Sequence, residues 1–518
     1  MSSQTLRAPA DAAVPSLPGA APPAKVATAR AGFAMAIATF AMAGASAVQA
    51  VLYLSRFGVD GRTDGFFVAF ALYTTFGVFG QSIRLTAVPL LVGRTPRLTA
   101  REFALALVVV AVPVIVLTCG LAGPLARILA PGLSAGDRAV TSSALPVLGC
   151  AMALQLWASG GATLLAVRSR FSAIAAAYVA GAGSGLVAFL ALMGFAGELT
   201  LGWSMLTMAV VTCGSMLVAV QRSGGLPAGD HALRAARVLR MTGRLLGRTV
   251  IYLAVNALFI VTLAFASHST TGDTTVLSYA YLFCSYLVAG TGMALGMSRI
   301  ADMSRASGEE RRATIVATVP AGFRYALLIV APALALLIVG GAPLVHAVLP
   351  GSLDADGVRS LQIFTLLLVP WTAAALLVSL LMPAMLALDR AVLLNALAAP
   401  LVVLHVVATL VGNALFGVEG SVGAMWVAPT CFAAIMVVCL AGSQSGRVLR
   451  ETAGGSLRFL GLAAAAYGAA AAITAAVPST AAAAAASVLG TFLYLGGALL
   501  VARSQLGLLA GALRPRPT

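Results

Sequence analysis

The chain has 518 residues, 60% of them hydrophobic and 9% charged, with a mean hydropathy of +0.99. That balance excludes a soluble globular domain, and its apolar runs are continuous rather than alternating, which excludes a β-barrel; the chain reads as an all-α polytopic membrane protein. A net charge of +16 would point to nucleic acid in a soluble protein, but in a membrane chain it reads as loop charge that sets orientation, so no nucleic-acid partner is expected.

Residues 1–30 are Ala- and Pro-rich with Arg7, Lys25 and Arg30, and are predicted to be a disordered cytoplasmic tail. The apolar core begins too late for a cleaved signal peptide. About fourteen spans of bilayer length follow, near 32–54, 66–92, 103–125, 142–166, 171–194, 200–221, 247–267, 274–298, 323–347, 360–387, 391–415, 420–442, 457–477 and 481–502. They group into a six-helix bundle (31–221), a cytoplasmic basic linker (222–246), a second six-helix bundle (247–442), two extra helices (443–503) and a cytoplasmic tail (504–518). With the N-terminus inside, the inner segments hold 26 of the 32 Lys and Arg, whereas the acids split evenly. Basic side chains resist translocation and acids matter little, so both termini are expected in the cytoplasm.

The second span contains Arg84, the one basic residue placed well inside a span. On a helix Tyr73, Gly77, Gly80, Gln81 and Arg84 share a face, opposite Phe, Val and Leu. A polar stripe in hydrocarbon turns toward protein or a water-filled cavity; the competing reading is that Arg84 snorkels to the nearby surface. In the linker, Arg234, Arg237, Arg240, Arg244 and Arg248 recur every three or four residues, as on a basic amphipathic helix lying against anionic membrane lipids.

The chain also repeats itself. Around Pro131-Gly132 and around Pro350-Gly351 an apolar helix ends, a short acidic loop follows and another apolar helix begins, about 219 residues apart. An even number of spans separates the copies, so the two bundles are expected to be related by a pseudo-twofold axis along the membrane normal.

Six cysteines fall in apolar runs without metal-ligand spacing, and no nucleotide-binding or metalloenzyme motif is present; no cofactor, metal or enzymatic activity is expected. The glycine runs 181–185 and 290–296 read as helix contacts. His405, Asn395 and Asn256 read first as interhelical hydrogen bonds, and Gln155 with Trp157 as residues that could line a cavity. No Asp or Glu falls inside a predicted span, which counts against proton- or sodium-coupled antiport.

RFGVDGRTDGFFVAF (Arg56–Phe70), Val88-Pro89, LSYAY (277–281), ALGMSRIADMS (294–304), the Pro-Gly loop at 350–359 and the Asp389-Arg390 turn, in this order, resemble the MurJ/MviN family of lipid II flippases, in the MOP exporter superfamily. The likeness covers about residues 30–510 and implies a flippase or exporter of a lipid-linked cell-envelope precursor for peptidoglycan or a related polyprenyl-linked glycan. It also implies a bacterial cytoplasmic (inner) membrane location and partners in cell-envelope biosynthesis. Helices 1, 2, 7 and 8 would line the cavity, with Arg84, Gln81, Gln49, Tyr73, Tyr279, Tyr281, Gln155 and Asn256 as candidate substrate-binding residues. The family's cationic pairs in its first helix fall here on Met42-Ala43 and Gln49-Ala50, and its Tyr-Ala-Asp-Arg on Tyr279-Ala280-Tyr281-Leu282, so most of its cavity arginines are missing. A MATE- or Wzx-like exporter of another amphiphile, or a scaffold without transport, are the alternatives.

Overall fold

The computed structural model describes residues 42, 44–46, 48–92, 100–168, 170–224, 235–293, 295, 308–348, 353–388, 390–474 and 480–501. Every regular element among them is helical. They are α1 (described over residues 44–46 and 48–57), α2 (Gly61–Val92), α3 (Ala100–Ile115), α4 (Ala122–Leu129), α5 (Ala135–Val167), α6 (Phe171–Leu192), α7 (Thr200–Arg222), α8 (Ala235–Ala266) and α9 (Asp273–Val288). After these come α10 (Gly308–Val348), α11 (Ala355–Leu367), α12 (Val369–Ala387), α13 (Ala391–Ala396), α14 (Ala398–Gly423), α15 (Val427–Ala441), α16 (Ser445–Thr474) and α17 (Thr480–Val501). The expected tails, 1–30 and 504–518, and Arg234 lie outside the described residues.

Ten stretches among the described residues are long and apolar enough to cross a membrane. The longest, residues 391–472, runs through four helices in series, α13 to α16, rather than one. It bends at Gly417, where φ is +63°, and narrows into 3-10 turns at Ala424–Trp426 and Gly442–Gln444. These breaks fall beside the predicted boundaries at 415/420 and after 442, where glycine tolerates backbone that other residues avoid.

The repeat has a local physical basis. Ser134 accepts a hydrogen bond from the Asp137 N–H (3.2 Å) at the start of α5, and Asp354 accepts one from the Gly357 N–H (2.8 Å) at the start of α11. In both copies the acidic loop after Pro-Gly thus supplies the N-cap that restarts the helix.

The first half packs around Phe66, Phe67, Phe70, Tyr53, Leu145, Leu148 and Met205. The second packs around Phe323, Phe364, Leu381, Phe432 and Met436, in a core continuous with Phe459 and Tyr467 of α16 and Tyr494 of α17. The Tyr494 hydroxyl donates to the Leu328 carbonyl (3.1 Å), tying the last helix to α10. Gly181 and Gly185 of α6 sit against Thr212 and Met208 of α7, as small-residue contacts do. His405 lies 3.1 Å from the Thr262 hydroxyl, and the Asn395 amide donates to the Gly247 carbonyl, so both serve as interhelical bonds.

α2 and α5 make the most extensive helix pair. They approach so closely that a Cβ at Gly65 would overlap the Asp137 carbonyl, and the Thr141 hydroxyl donates to the Gly65 carbonyl at 2.8 Å. Gly65→Ala is therefore expected to destabilise the first half by about 1–3 kcal/mol, the range for overpacking. The thermal unfolding midpoint in detergent checks this, and an unchanged midpoint would show that the helices can separate freely.

The basic linker differs from expectation. Residues 235–266 form a single helix, so no helix boundary falls at 246/247. Val238, Met241 and Leu245 are buried against Phe103 and Leu107 of α3 and Phe79 and Ile83 of α2, while Arg240 and Arg244 stay exposed. Arg237 pairs with the buried Glu102 at 3.5 Å. The apolar spacing of the linker runs in register into the span, so its apolar face finds α2 and α3 and the helix has no reason to break.

Candidate functional site

The two halves meet along a seam in which α1, α2 and α3 face α8 and α9. At the end where α2 begins, the seam is closed by one carboxylate. α9 starts at Gly272, whose φ of +99° needs glycine and which carries no side-chain cap of its own. Asp64, in the first turn of α2 and 1% exposed, supplies the cap from the other half. It accepts the Gly272 N–H (2.7 Å), the Thr275 N–H (2.7 Å) and the Thr275 hydroxyl (2.6 Å). The carboxylate thus satisfies two orphan donors of α9 and sits where its helix dipole favours negative charge. Two further contacts flank it: Thr275 Oγ1 lies 3.2 Å from Thr63 Oγ1, and the Gly132 N–H donates to Ser267 Oγ at 3.1 Å. This is a latch between the halves.

Below the latch lies an aromatic layer. The Tyr279 hydroxyl donates to the Ala50 carbonyl of α1 (2.9 Å), and its ring is 5.0 Å from Phe67 of α2. Tyr73 is buried facing Gln155 of α5 and Tyr286 of α9, and Tyr286 in turn faces Ser46 of α1. Beside this layer a cavity of about 130 Å3 is lined by Val78 of α2, Tyr252 and Asn256 of α8, Tyr281 and Ser285 of α9, and Trp371 and Ser379 of α12, among others. Tyr281 stacks flat on Phe259 at 3.6 Å and tilts against Trp371 at 4.9 Å. Asn256 donates to the Tyr252 carbonyl one turn back (2.8 Å). The lining is apolar and aromatic with a few hydroxyl and amide groups, suited to an amphiphile with neutral hydrogen-bonding groups. A larger groove, about 740 Å3, lies between α6 and α7 on the flank of the first half, away from the seam.

The structure thus brings Tyr73, Gln155 and Tyr279 together at one level of the seam and Tyr281 and Asn256 at the neighbouring cavity. Two of the candidates are placed apart from that cavity. Gln49 does not line the seam cavity: it is 2% exposed, its amide nitrogen beside Gly185 of α6, with Oε1 unpartnered among the described residues. Helix α1 is rotated so that Ala50 meets α9 while Gln49 enters the first half. Tyr279 donates its hydroxyl to a backbone carbonyl, because α1 passes within reach. The α2 stripe faces protein as expected, but in part it faces its own half, since a Cβ at Gly80 would stand 2.9 Å from the Ser159 hydroxyl of α5. The side chains of Gln81 and Arg84 lie outside the described residues. Asp64, Gly272, Thr275 and Tyr286 were not singled out from the sequence. The available signal was the Thr-Thr-Gly-Asp-Thr-Thr run at 270–275, a helix start with its acid already hydrogen-bonded to Ser269 (2.6 Å) and Thr270 (2.7 Å).

No protein-family model and no curated protein matches the sequence. Solved structures match in fold. One is the lipid II flippase MurJ in an inward closed conformation, with TM-score 0.68 and 12% identity, covering 93% of this chain and 99% of that one. Another is the MATE multidrug transporter DinF-BH (TM-score 0.60, 13% identity, 82% and 96% covered). A third is an inward-facing multidrug resistance MATE family transporter of the MOP superfamily (TM-score 0.58, 14% identity, 80% and 99% covered). The chain has the fold that these structures share, all-helical and with ten stretches among the described residues long and apolar enough to cross a membrane.

Proposed function

We propose that this protein is a transporter that moves a lipid-linked cell-envelope precursor, lipid II or a related polyprenyl-linked glycan, across a bacterial cytoplasmic membrane by alternating access. The observation that carries the transport reading is the Asp64 latch. It closes one end of the seam between the halves with a compact set of reversible hydrogen bonds, the kind of contact that a rocking motion breaks and remakes, while apolar contacts of α8 with α2 and α3 run along the rest of the seam. The charge asymmetry of the loops assigns the latch end to the outside and the termini to the cytoplasm. The aromatic, hydroxyl-bearing lining below the latch suits the sugar and prenyl parts of such a substrate, and Arg84, Gln81, Tyr73, Tyr281, Gln155 and Asn256 are its proposed contacts. The flippase resemblance is supported by coverage, since the MurJ structure matches 93% of the chain against 80–82% for the two MATE structures. Export of a different amphiphile, in the manner of the MATE structures, is the second reading, favoured by a seam cavity whose lining carries no charged side chain. No enzymatic step or cofactor is proposed, and the partners are envelope-biosynthesis proteins and anionic lipids.

The test is depletion of the protein in its host, with lipid-linked precursors quantified on each leaflet. Accumulation of an undecaprenyl-type precursor on the inner leaflet is the expected result. An unchanged distribution, with growth unaffected, would leave the other amphiphile.

A further inference from the structure

Basic residues on an exposed helix normally spread apart or pair with acids, because like charges at adjacent turns repel. α16 departs from this. Arg447, Arg450, Gly454 and Arg458 follow one another at three- and four-residue steps and share a face. Arg324 of α10 is drawn to the same face because Gly455 leaves room for its stem; a Cβ there would stand 2.9 Å from Arg324 Cγ. Four guanidiniums and one carboxylate, Glu451, together with Gly454 and Gly455, line a cavity of about 420 Å3. Glu451 is already paired with Arg447 at 2.8 Å. The Nε groups of Arg324 and Arg450 donate to the Pro320 and Gly446 carbonyls of their own helices (3.2 Å each), which holds the stems in place. The terminal nitrogens of these two forks make no ion pair with an acid among the described residues.

We propose that this cavity is a binding site for a phosphate-bearing anion. A guanidinium fork matches phosphate oxygens in a bidentate way, and several forks around one small space neutralise their mutual repulsion only when an anion sits among them. The lining contains arginine, glutamate and glycine and no apolar side chain, so it suits a headgroup and offers nothing to an acyl chain. It lies at the junction of the second half with the two extra helices, and shares no residue with the latch or the seam cavity. It is therefore independent of what the protein transports. Basic pockets at a membrane surface meet phosphate from two sources, the headgroups of anionic lipids and soluble phosphates.

The test uses the full chain in nanodiscs of phosphatidylcholine, alone, with added phosphatidylglycerol, or with inorganic pyrophosphate in solution. The readouts are the thermal unfolding midpoint and bound phosphorus by native mass spectrometry. The expected result is an upward shift with at least one of the two anions. In the triple variant Arg324→Gln, Arg450→Gln, Arg458→Gln that binding should weaken by about a hundredfold, taking each arginine near a surface as worth roughly a fivefold change. A shift with phosphatidylglycerol alone identifies the lipid headgroup; a shift with pyrophosphate, alone or as well, identifies phosphate irrespective of a lipid. If the triple variant fails to fold in phosphatidylcholine, the exposed single variant Arg458→Gln should still lose about fivefold. No shift with either anion, or equal binding by variant and parent, overturns the proposal.

Discussion

Asp64→Ala is expected to open the latch. The substitution removes three hydrogen bonds to a buried carboxylate and leaves the Gly272 and Thr275 N–H groups of α9 without acceptors. Hydrogen bonds to charged groups contribute about 1.5–3 kcal/mol each. Loss of even about 3 kcal/mol from the closed state shifts its equilibrium with the open one by more than a hundredfold. Thr274, buried in the first turn of α9, reports on this. In a background without the six native cysteines, Thr274→Cys should react slowly with an impermeant maleimide applied outside the cell. With Asp64→Ala the rate should rise at least tenfold. Asp64→Asn should fall between, because one acceptor oxygen survives while the amide donors face N–H groups. An unchanged rate would mean that the seam is held shut elsewhere. Labelling from the cytoplasmic side alone would reverse the orientation that the loop charges assign.

Arg84→Ala is expected to abolish transport while leaving the protein folded and inserted. A guanidinium within a span costs about 2.5–3.5 kcal/mol on insertion scales, which is tolerated where it is hydrated or meets an anion. No Asp or Glu lies within several turns of Arg84 along α2, the nearest being Asp64 at the far end. The proposed partner is the substrate's phosphate, with Gln81 one turn away. Loss of one charge-assisted pair, about 2 kcal/mol, corresponds to at least a thirtyfold drop in precursor translocation, read as precursor on the outer leaflet. Arg84→Lys should retain part of the activity, because the charge remains and the bidentate geometry does not. Normal transport by Arg84→Ala would make the residue a snorkelling anchor. That outcome favours an uncharged amphiphile or a scaffold without transport.

The sequence determined what depends on local composition. Bilayer-length apolar runs fixed the helices, since a chain in lipid must satisfy its backbone within each helix. The breaks near Gly417 and Gly442 were legible as span boundaries because the apolar run before each already reaches bilayer length. The Pro-Gly copies were legible because each repeats one local order, an apolar run, Pro-Gly, a short acidic loop and another apolar run. His405 and Asn395 were legible as interhelical bonds because a polar group in hydrocarbon has few other choices. Tertiary structure decided which face of each helix meets which neighbour. Periodicity shows that a stripe exists but not its direction, and a rotation of α1 by one residue is enough to send Gln49 into the first half and Ala50 to Tyr279. The same limit hid the continuity of α8, whose apolar face could meet lipid or α3 with equal sense on paper. It also hid the role of Asp64. In the sequence it is one more acid of a short loop, and only the arrival of Gly272 and Thr275, more than two hundred residues later, makes it the cap of another helix. A contact between residues so far apart is set by how the halves pack, and no local pattern carries it.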